Sequence, residues 1–338
     1  MCQIILLWEV FRQNQLSTVN KKNRNIIISF IFTTGLIVLL LANISFKSVL
    51  KELSNYSLDL LALIFLTHLT AYIARTWVFY LFFSKKSTVS FLYLLNTHFI
   101  HNFYVHIIPA SLGEISFPIL MRKKMKPEKS ISVLVITRLL FLLLTVLLFI
   151  VSIFLNFDFF SYYKIESDKL YFVFIGLIPL LVIVFYRKSI LNFIGKIKIL
   201  KKLKSLLSKY WKDIKYDFAF LKNSKKFLFF IFLLTMINIV ALVATYFLIL
   251  KGMNLELTFF QIVFVSSIGI AFILLPIKSI GGFGTTEGAW AIGMLVLGFD
   301  KEVAIQSGFV VHIVALLNVL IMFIFGLIFR SLYIKKIP

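Results

Sequence analysis

The sequence is poor in cysteine and in charge. Cys2 is the single cysteine among 338 residues, which excludes an internal disulfide framework and leaves too few thiols for a thiolate metal site. The N-terminus also lacks the features of a cleaved signal, because no basic segment precedes its short apolar run and no small-residue cleavage site follows. We interpret residues 1–25 as a cytoplasmic leader.

Charged residues make up only 15% of the chain, whereas 60% of it is hydrophobic, including 39 phenylalanines. A soluble domain of this size cannot bury so much apolar surface, but lipid solvates apolar side chains on the outside of a helical bundle. Six apolar runs are long enough to span a bilayer: 26–46, 57–83, 130–156, 170–186, 227–250 and 303–330. We therefore predict an all-α polytopic protein of the plasma (inner) membrane.

Two further apolar regions, 91–121 and 258–298, are interrupted by proline, glycine and charged residues. Pro109 and Pro276 each remove a backbone donor, and the following glycines weaken a helix further. Irregular backbone at membrane depth persists only where protein or water satisfies it. We therefore predict that both regions are re-entrant helical hairpins with these loops at their tips.

The distribution of charge sets the orientation. The connection 187–226 holds thirteen Lys and Arg against two Asp, a net charge of +11, half of the formal +22 of the chain. With both termini cytoplasmic and both hairpins re-entrant, every strongly basic connection lies inside, as the positive-inside rule requires. Within the connection 187–226, residues 188–222 have the apolar spacing of a basic amphipathic helix at an anionic membrane surface. The same lysines explain the topology, so no nucleic acid partner is expected.

This layout predicts an inverted-topology repeat. Residues 26–156 would form the first half, 157–169 an external loop, and 170–334 the second half with the order of elements repeated in the opposite orientation. Many transporters are built this way. In both halves a glutamate follows the broken loop, and a basic or titratable residue lies about two dozen positions later in the next span.

Ionisable residues inside spans are costly and mark candidate functional positions. Broken helices present free N–H groups suited to an anionic headgroup, and glycines let backbone approach a ligand closely. The alternative is that these side chains only pair with one another and hold the helix bundle together. The predicted substrate-binding residues are Glu114, Glu287, Arg138, Arg75, Lys278, Gly113, Gly281, Gly282, Gly284 and His312.

Other chemistries lack their sequence signatures. His98, His101 and His106 have no carboxylate at a ligand spacing, so a polar helix interface is favoured over a metal site. The glycine-rich loop has no GK[ST], no GxSxG occurs, and no catalytic carboxylate pair stands at a fixed spacing. No metal, no cofactor and no catalytic residue is predicted.

Three motifs carry a resemblance to a known family. IIPASLGE at 107–114, ITRLL at 136–140 and LLPIKSIGGFGTTEGAW at 274–290 resemble the transmembrane region of lysylphosphatidylglycerol synthases, which also occurs in stand-alone flippase-like proteins. The resemblance implies handling of anionic, aminoacylated or polyprenyl-phosphate-linked lipids. Phe117, Thr137 and Phe141 depart from charged residues that family members often carry there, so headgroup chemistry is expected to differ.

Only eight residues follow position 330, so we expect a stand-alone flippase-like protein without the aminoacyltransferase domain. The sequence leaves open two alternatives: a membrane-embedded glycosyltransferase or other lipid-modifying enzyme of envelope biosynthesis, and a non-catalytic partner of such a complex. Expected partners are membrane lipids, either an anionic phospholipid or a polyprenyl-phosphate lipid. An envelope-biosynthesis enzyme and a second copy of the chain are further candidates.

Overall fold

The computed structural model describes residues 46–83, 89–108, 112–156, Asp217, 224–273 and 279–333. Helices and short connections account for all of these residues, and no strand occurs among them. The helices are α1 (Phe46–Ser54), α2 (Leu58–Phe83), α3 (Phe91–Ile107), α4 (Ser116–Met121), α5 (Pro127–Leu155), α6 (Lys225–Gly252), α7 (Phe259–Ile273), α8 (Thr285–Val296) and α9 (Lys301–Tyr333). Two 3₁₀ turns, Leu112–Ile115 and Ile280–Gly282, precede α4 and α8.

Four of these helices are long and apolar enough to cross a membrane: Leu58–Phe83, Pro127–Leu155, Lys225–Gly252 and Lys301–Leu332. They match four of the six predicted spans to within about three residues at each end. The other two predicted spans, 26–46 and 170–186, lie outside the described residues. So do the leader 1–25, the external loop 157–169 and the basic segment 188–222 apart from Asp217.

The outer faces of the long helices carry large apolar side chains exposed beyond what a water-facing surface tolerates. Phe154 is 73% exposed, Phe229 60% and Phe325 55%, on α5, α6 and α9 respectively. Lipid solvates such side chains, whereas water does not. The predicted class of a helical, multi-pass membrane protein is therefore confirmed.

Helices α2 and α6 form the closest pair among the long helices. Asn238 on α6 donates a 2.7 Å hydrogen bond from Nδ2 to the carbonyl of Ala71 on α2. The hydroxyl oxygens of Thr245 and Thr67 lie 3.1 Å apart across the same helix pair. Lipid offers no partner to such groups, so they stabilise the helix pair where apolar contact alone gives little preference.

Replacing Asn238 with leucine is expected to lower the free energy of unfolding by about 0.5–2 kcal/mol, the measured range for one interhelical hydrogen bond in a membrane. Thermal unfolding of the purified protein in detergent, followed by tryptophan fluorescence, measures this loss. Ile237→Leu on the exposed side of the same helix is the control and should unfold as the wild type does. Equal stability of the two variants would show that the Asn238 bond does not hold α2 to α6.

Both interrupted regions fold back on themselves. The 3₁₀ turn Leu112–Ile115 and α4 pack against α3, and α8 packs against α7. In the first region Gly113 lies directly against the backbone of Tyr104, where any Cβ would overlap the carbonyl group. In the second, a Cβ at Gly293 would come within 2.9 Å of Val265 Cα. Small residues therefore set how closely the two arms of each region approach.

The packing between the halves is reciprocal. Helix α3 of the first interrupted region packs against α9, the last long helix of the chain. Helix α7 of the second interrupted region packs against α5, the last long helix of the first half. Asn96 and Gly326 mark the α3–α9 crossing, where the Asn96 amide donates to the Gly326 carbonyl at 2.5 Å. Each half thus supplies a partner for the interrupted region of the other.

Helix α1 forms between the predicted spans 26–46 and 57–83, where no helix was predicted. Its residue Val49 is fully buried, and α1 packs against α9, where Gln306 Nε2 donates to the Ser48 carbonyl at 3.4 Å. Apolar residues at Val49, Leu50 and Leu53 have helical spacing. A window of nine residues is too short for that spacing to be distinctive, which explains why the helix was missed.

Candidate functional site

The first polar cluster is built around Glu114, in the 3₁₀ turn before α4. Arg138 on α5 donates from Nη2 to Glu114 Oε1 at 2.5 Å. The carboxylate side chain is 12% exposed and the arginine 36%. A charge-assisted hydrogen bond of this kind is among the stronger polar contacts in a protein. It joins the broken loop of the first half to the long helix that follows it.

Two further basic side chains face the same carboxylate. His101 Nε2 on α3 lies 3.5 Å from Glu114 Oε2, and its Nδ1 is 2.8 Å from the hydroxyl of Ser116. The guanidinium of Arg75, on α2, interacts electrostatically with both Glu114 and Arg138 and lies 6.0 Å from the centre of the Phe79 ring. Arg138 therefore pairs directly with the carboxylate, His101 lies beside it, and Arg75 is in its electrostatic neighbourhood.

This cluster retains hydrogen-bonding capacity that no described protein group uses. Buried polar atoms almost always have partners, so several unused ones in one place are unusual. Within the described residues the cluster and its α3 face contain six such atoms: Arg75 Nη2, His98 Nε2, His101 Nε2, Asn102 Nδ2, Glu114 Oε2 and Arg138 Nε. His68 Nδ1 and Asn318 Nδ2 are the two others in the described part of the chain.

The second polar cluster is built around Glu287, in the first turn of α8. Its Oε2 accepts from the backbone N–H of Gly284 at 2.7 Å, and its Oε1 lies 2.7 Å from Nδ1 of His312 on α9. The Glu287 side chain is fully buried, and His312 is 4% exposed. A carboxylate that caps a helix N-terminus also gains from the helix dipole. Both oxygens of this carboxylate are satisfied.

Glycines bring the backbone close to this second pair. A Cβ at Gly282 would lie 2.9 Å from Thr286 Oγ1 and 3.4 Å from the His312 ring. A Cβ at Gly308 would lie 3.1 Å from the Glu287 carbonyl oxygen. Gly282 has a φ of 79°, a conformation that other residues adopt only at a cost. These glycines let the loop and α9 approach Glu287 and His312.

The chain was compared with known proteins. The family model described as lysylphosphatidylglycerol synthase TM region matches residues 26–323. The chain belongs to this family. No curated protein and no solved structure gives a significant match. Membership in the lysylphosphatidylglycerol synthase transmembrane-region family confirms the resemblance seen in the sequence. It supports a multi-pass membrane location and a function related to membrane lipids.

The motifs that suggested this family coincide with the two clusters. The IIPASLGE segment ends at Glu114, ITRLL carries Arg138, and the glycine-rich segment carries Glu287. The structure thus brings Glu114 together with Arg138, and Glu287 with His312, the pairs suggested by the matched spacing in the two halves. Lys278 lies outside the described residues.

The two clusters are neighbours across α3. The turn Ile280–Gly282 packs against α3, the helix that carries His98, His101 and Asn102. Gly113 and Gly281 serve local geometry: Gly113 lies against Tyr104, and Gly281 has a φ of 66° beside the Phe283 ring. Phe283 in turn lies 4.7 Å from the His312 ring, measured between centroids.

Three contributors to these clusters were not predicted from the sequence, namely Ser116, Asn102 and Gly308, and His101 was not connected with Glu114. His98 and His101 were noticed, and their spacing of three indicated a shared helix face, but nothing in the sequence pointed to Glu114 as a neighbour. Asn102 lies on the same face, one turn after His98. Ser116 and Gly308 give no signal, because an isolated serine or glycine in an apolar helix has many uses.

Proposed function

We propose that this protein is a flippase-like lipid transporter, which moves an anionic, aminoacylated or polyprenyl-phosphate-linked lipid headgroup across the membrane. One observation carries the proposal. In both halves a glutamate at a helix break contacts a basic or titratable side chain of the following long helix, Glu114 with Arg138 and Glu287 with His312. Charged groups inside membrane spans are costly, and they are retained where a polar cargo passes.

The proposed architecture is an inverted-topology repeat with six full spans and two re-entrant hairpins. The reciprocal packing of α3 on α9 and of α7 on α5 supports it, because an inverted repeat requires each interrupted region to have an equivalent partner in the other half. The folding back of both interrupted regions supports the hairpins. In this proposal both termini are cytoplasmic, in agreement with the charges of the connections.

The headgroup path runs, in this proposal, past the Glu114 cluster. Arg138 keeps 36% of its side chain exposed, so this cluster is open to an approaching group, whereas Glu287 is fully enclosed. Arginine pairs well with phosphate because its planar guanidinium offers several donors in a fixed geometry. We therefore propose that the headgroup contacts the cluster of Arg75, Arg138 and Glu114. The pair of Glu287 and His312 instead connects the second interrupted region to α9.

Lipid scrambling by the purified protein in liposomes tests this function. Fluorescent phosphatidylglycerol, an aminoacylated lipid and a polyprenyl-phosphate sugar analogue are assayed in parallel. Glu287→Gln and Glu114→Gln are expected to slow movement of the transported lipid at least about tenfold, since loss of one charged partner in a dry site costs more than 1.4 kcal/mol. Glutamine keeps the size and an amide oxygen, so both variants should still insert and fold.

Glu302→Gln, at an exposed position in the first turn of α9, is the matched control and should transport normally. Unchanged transport in both Glu114→Gln and Glu287→Gln would refute the assignment of these clusters. Absence of movement for all three lipids would refute transport itself. Mass spectrometry of the same lipids would then reveal a covalently altered product if the protein is a lipid-modifying enzyme.

A further inference from the structure

The charge balance of the Glu114 cluster points to a particular kind of ligand. The cluster holds two permanently charged guanidinium groups, those of Arg75 and Arg138, against the single carboxylate of Glu114. When both histidines are neutral, the net charge of the cluster is therefore +1. A net charge inside a membrane span without a counter-charge is unfavourable. A ligand that supplies one negative charge removes the imbalance.

The hydrogen bonds of His98 and His101 are compatible with neutral rings. The Thr76 hydroxyl donates to the Tyr72 carbonyl at 2.7 Å, so it can only accept from His98 Nδ1, at 2.9 Å. His98 therefore carries its proton on Nδ1. His101 Nε2 lies 3.5 Å from Glu114 Oε2 without forming a hydrogen bond, and its Nδ1 pairs with the Ser116 hydroxyl, which can donate to a neutral ring. With two arginines already beside one carboxylate, a third cation is disfavoured, and both rings count as neutral.

Unused donors in the cluster suit an oxyanion. Arg138 uses Nη2 on Glu114, while its Nε has no partner among the described residues. Arg75 Nη2 and Asn102 Nδ2 are likewise without partners there, and Asn102 is 4% exposed. Each of these atoms carries N–H groups and none carries a lone pair. Their unmet need is for an acceptor.

We propose that the Arg75, Arg138 and Glu114 cluster, together with Asn102, is a charge-selective site for the monoanionic phosphodiester of a lipid headgroup, and that Glu114 sets the selectivity. This inference deepens the proposed function, because it assigns a ligand class to the same site. One phosphodiester charge neutralises the +1 cluster. A phosphomonoester brings a second charge, which Glu114 repels. Removing the Glu114 charge raises the net charge of the cluster to +2, so the cluster then prefers the phosphomonoester to the phosphodiester.

Titration calorimetry of the full chain in detergent tests this selectivity. The probes are dihexanoyl phosphatidylglycerol, a phosphodiester, and dihexanoyl phosphatidic acid, a phosphomonoester. The phosphomonoester carries nearly two negative charges at pH 8, because the second pKa of such a group is about 6. The wild type should bind the diester at least about tenfold more tightly than the monoester. In Glu114→Gln the monoester should bind at least about tenfold more tightly than the diester, the scale of coupling measured for close buried charges.

Two controls sharpen the result. Glu114→Asp keeps the charge and should keep the preference for the diester. Glu256→Gln, at an exposed position, should bind as the wild type does.

The acyl chains are tested separately with glycerophosphoglycerol and inorganic phosphate. If these bind as tightly as the short-chain lipids, the site takes a free phosphate and the lipid assignment is wrong. Preference for the monoester in the wild type, an unchanged preference in Glu114→Gln, or no binding of any probe would each overturn the proposal. These readings do not depend on transport. A protein that shows the reversal but moves no lipid would refute the proposed function and leave this site in place.

Discussion

Replacing His312 with leucine is expected to lower the free energy of unfolding by about 3 kcal/mol, because a buried carboxylate oxygen then loses its hydrogen-bond partner. Glu287 is fully buried and has two partners, the Gly284 N–H and the His312 ring. Without the imidazole, one carboxylate oxygen faces apolar surroundings. Unfolding in detergent, monitored by tryptophan fluorescence over increasing denaturant, measures the loss.

His68→Leu provides the matched control, since His68 is also buried in a long helix, at 6% exposure. Its Nδ1 has no hydrogen-bond partner in the described part of the chain, and the ring packs edge-on against Tyr72. Removing an unsatisfied polar atom releases its desolvation cost, so this variant should change stability by less than about 1 kcal/mol. Similar losses for the two leucine variants would contradict the importance of the Glu287 pair.

Gly113→Ala is expected to destabilise the protein by about 3 kcal/mol or more, at the upper end of overpacking effects. The added methyl would overlap the carbonyl of Tyr104 and come within 2.6 Å of Val105 Cα. These are backbone atoms within a helix, so they cannot rotate away as a side chain can. Relief requires the turn that carries Glu114 to shift away from α3, and transport should fall together with stability. The same unfolding and scrambling assays report both effects.

A second glycine gives the opposite expectation. A Cβ at Gly288, inside α8, meets nothing within 4 Å, and alanine is the better helix former. Gly288→Ala should therefore stabilise the protein by about 0.5–1 kcal/mol. If Gly113→Ala were as stable as Gly288→Ala, the close packing of the first turn against α3 would not constrain the position of Glu114.

The two polar pairs differ in chemistry although their spacing along the chain is nearly the same. The spacing from glutamate to partner is 24 residues in the first half and 25 in the second. The first pair is partly exposed and surrounded by unused donors, whereas the second is enclosed and satisfied. This contrast is the reason that we assign the ligand to the first half and a positioning role to Glu287 and His312.

The sequence by itself determined the membrane class, the positions of the helix breaks and the two polar pairs. Long apolar runs leave only a membrane helix as a stable structure, because the backbone must satisfy its own hydrogen bonds in lipid. Proline and glycine at 109–113 and 276–284 require those helices to break. The costly glutamates beside the breaks, and their matched spacing to Arg138 and His312, indicated the pairs that the structure brings together.

Only the tertiary structure decided which faces of the helices meet. Helices α2, α5 and α6 are apolar on nearly all sides, because lipid and the protein interior favour the same side chains, so periodicity does not distinguish the inner face from the outer one. The sequence grouped Arg75 with Glu114 among the predicted binding residues, but it did not indicate that His101 lies beside Glu114. The surroundings of Glu114 depend on how α2, α3 and α5 pack. That packing is set by side-chain fit and interhelical hydrogen bonds between segments far apart in the chain.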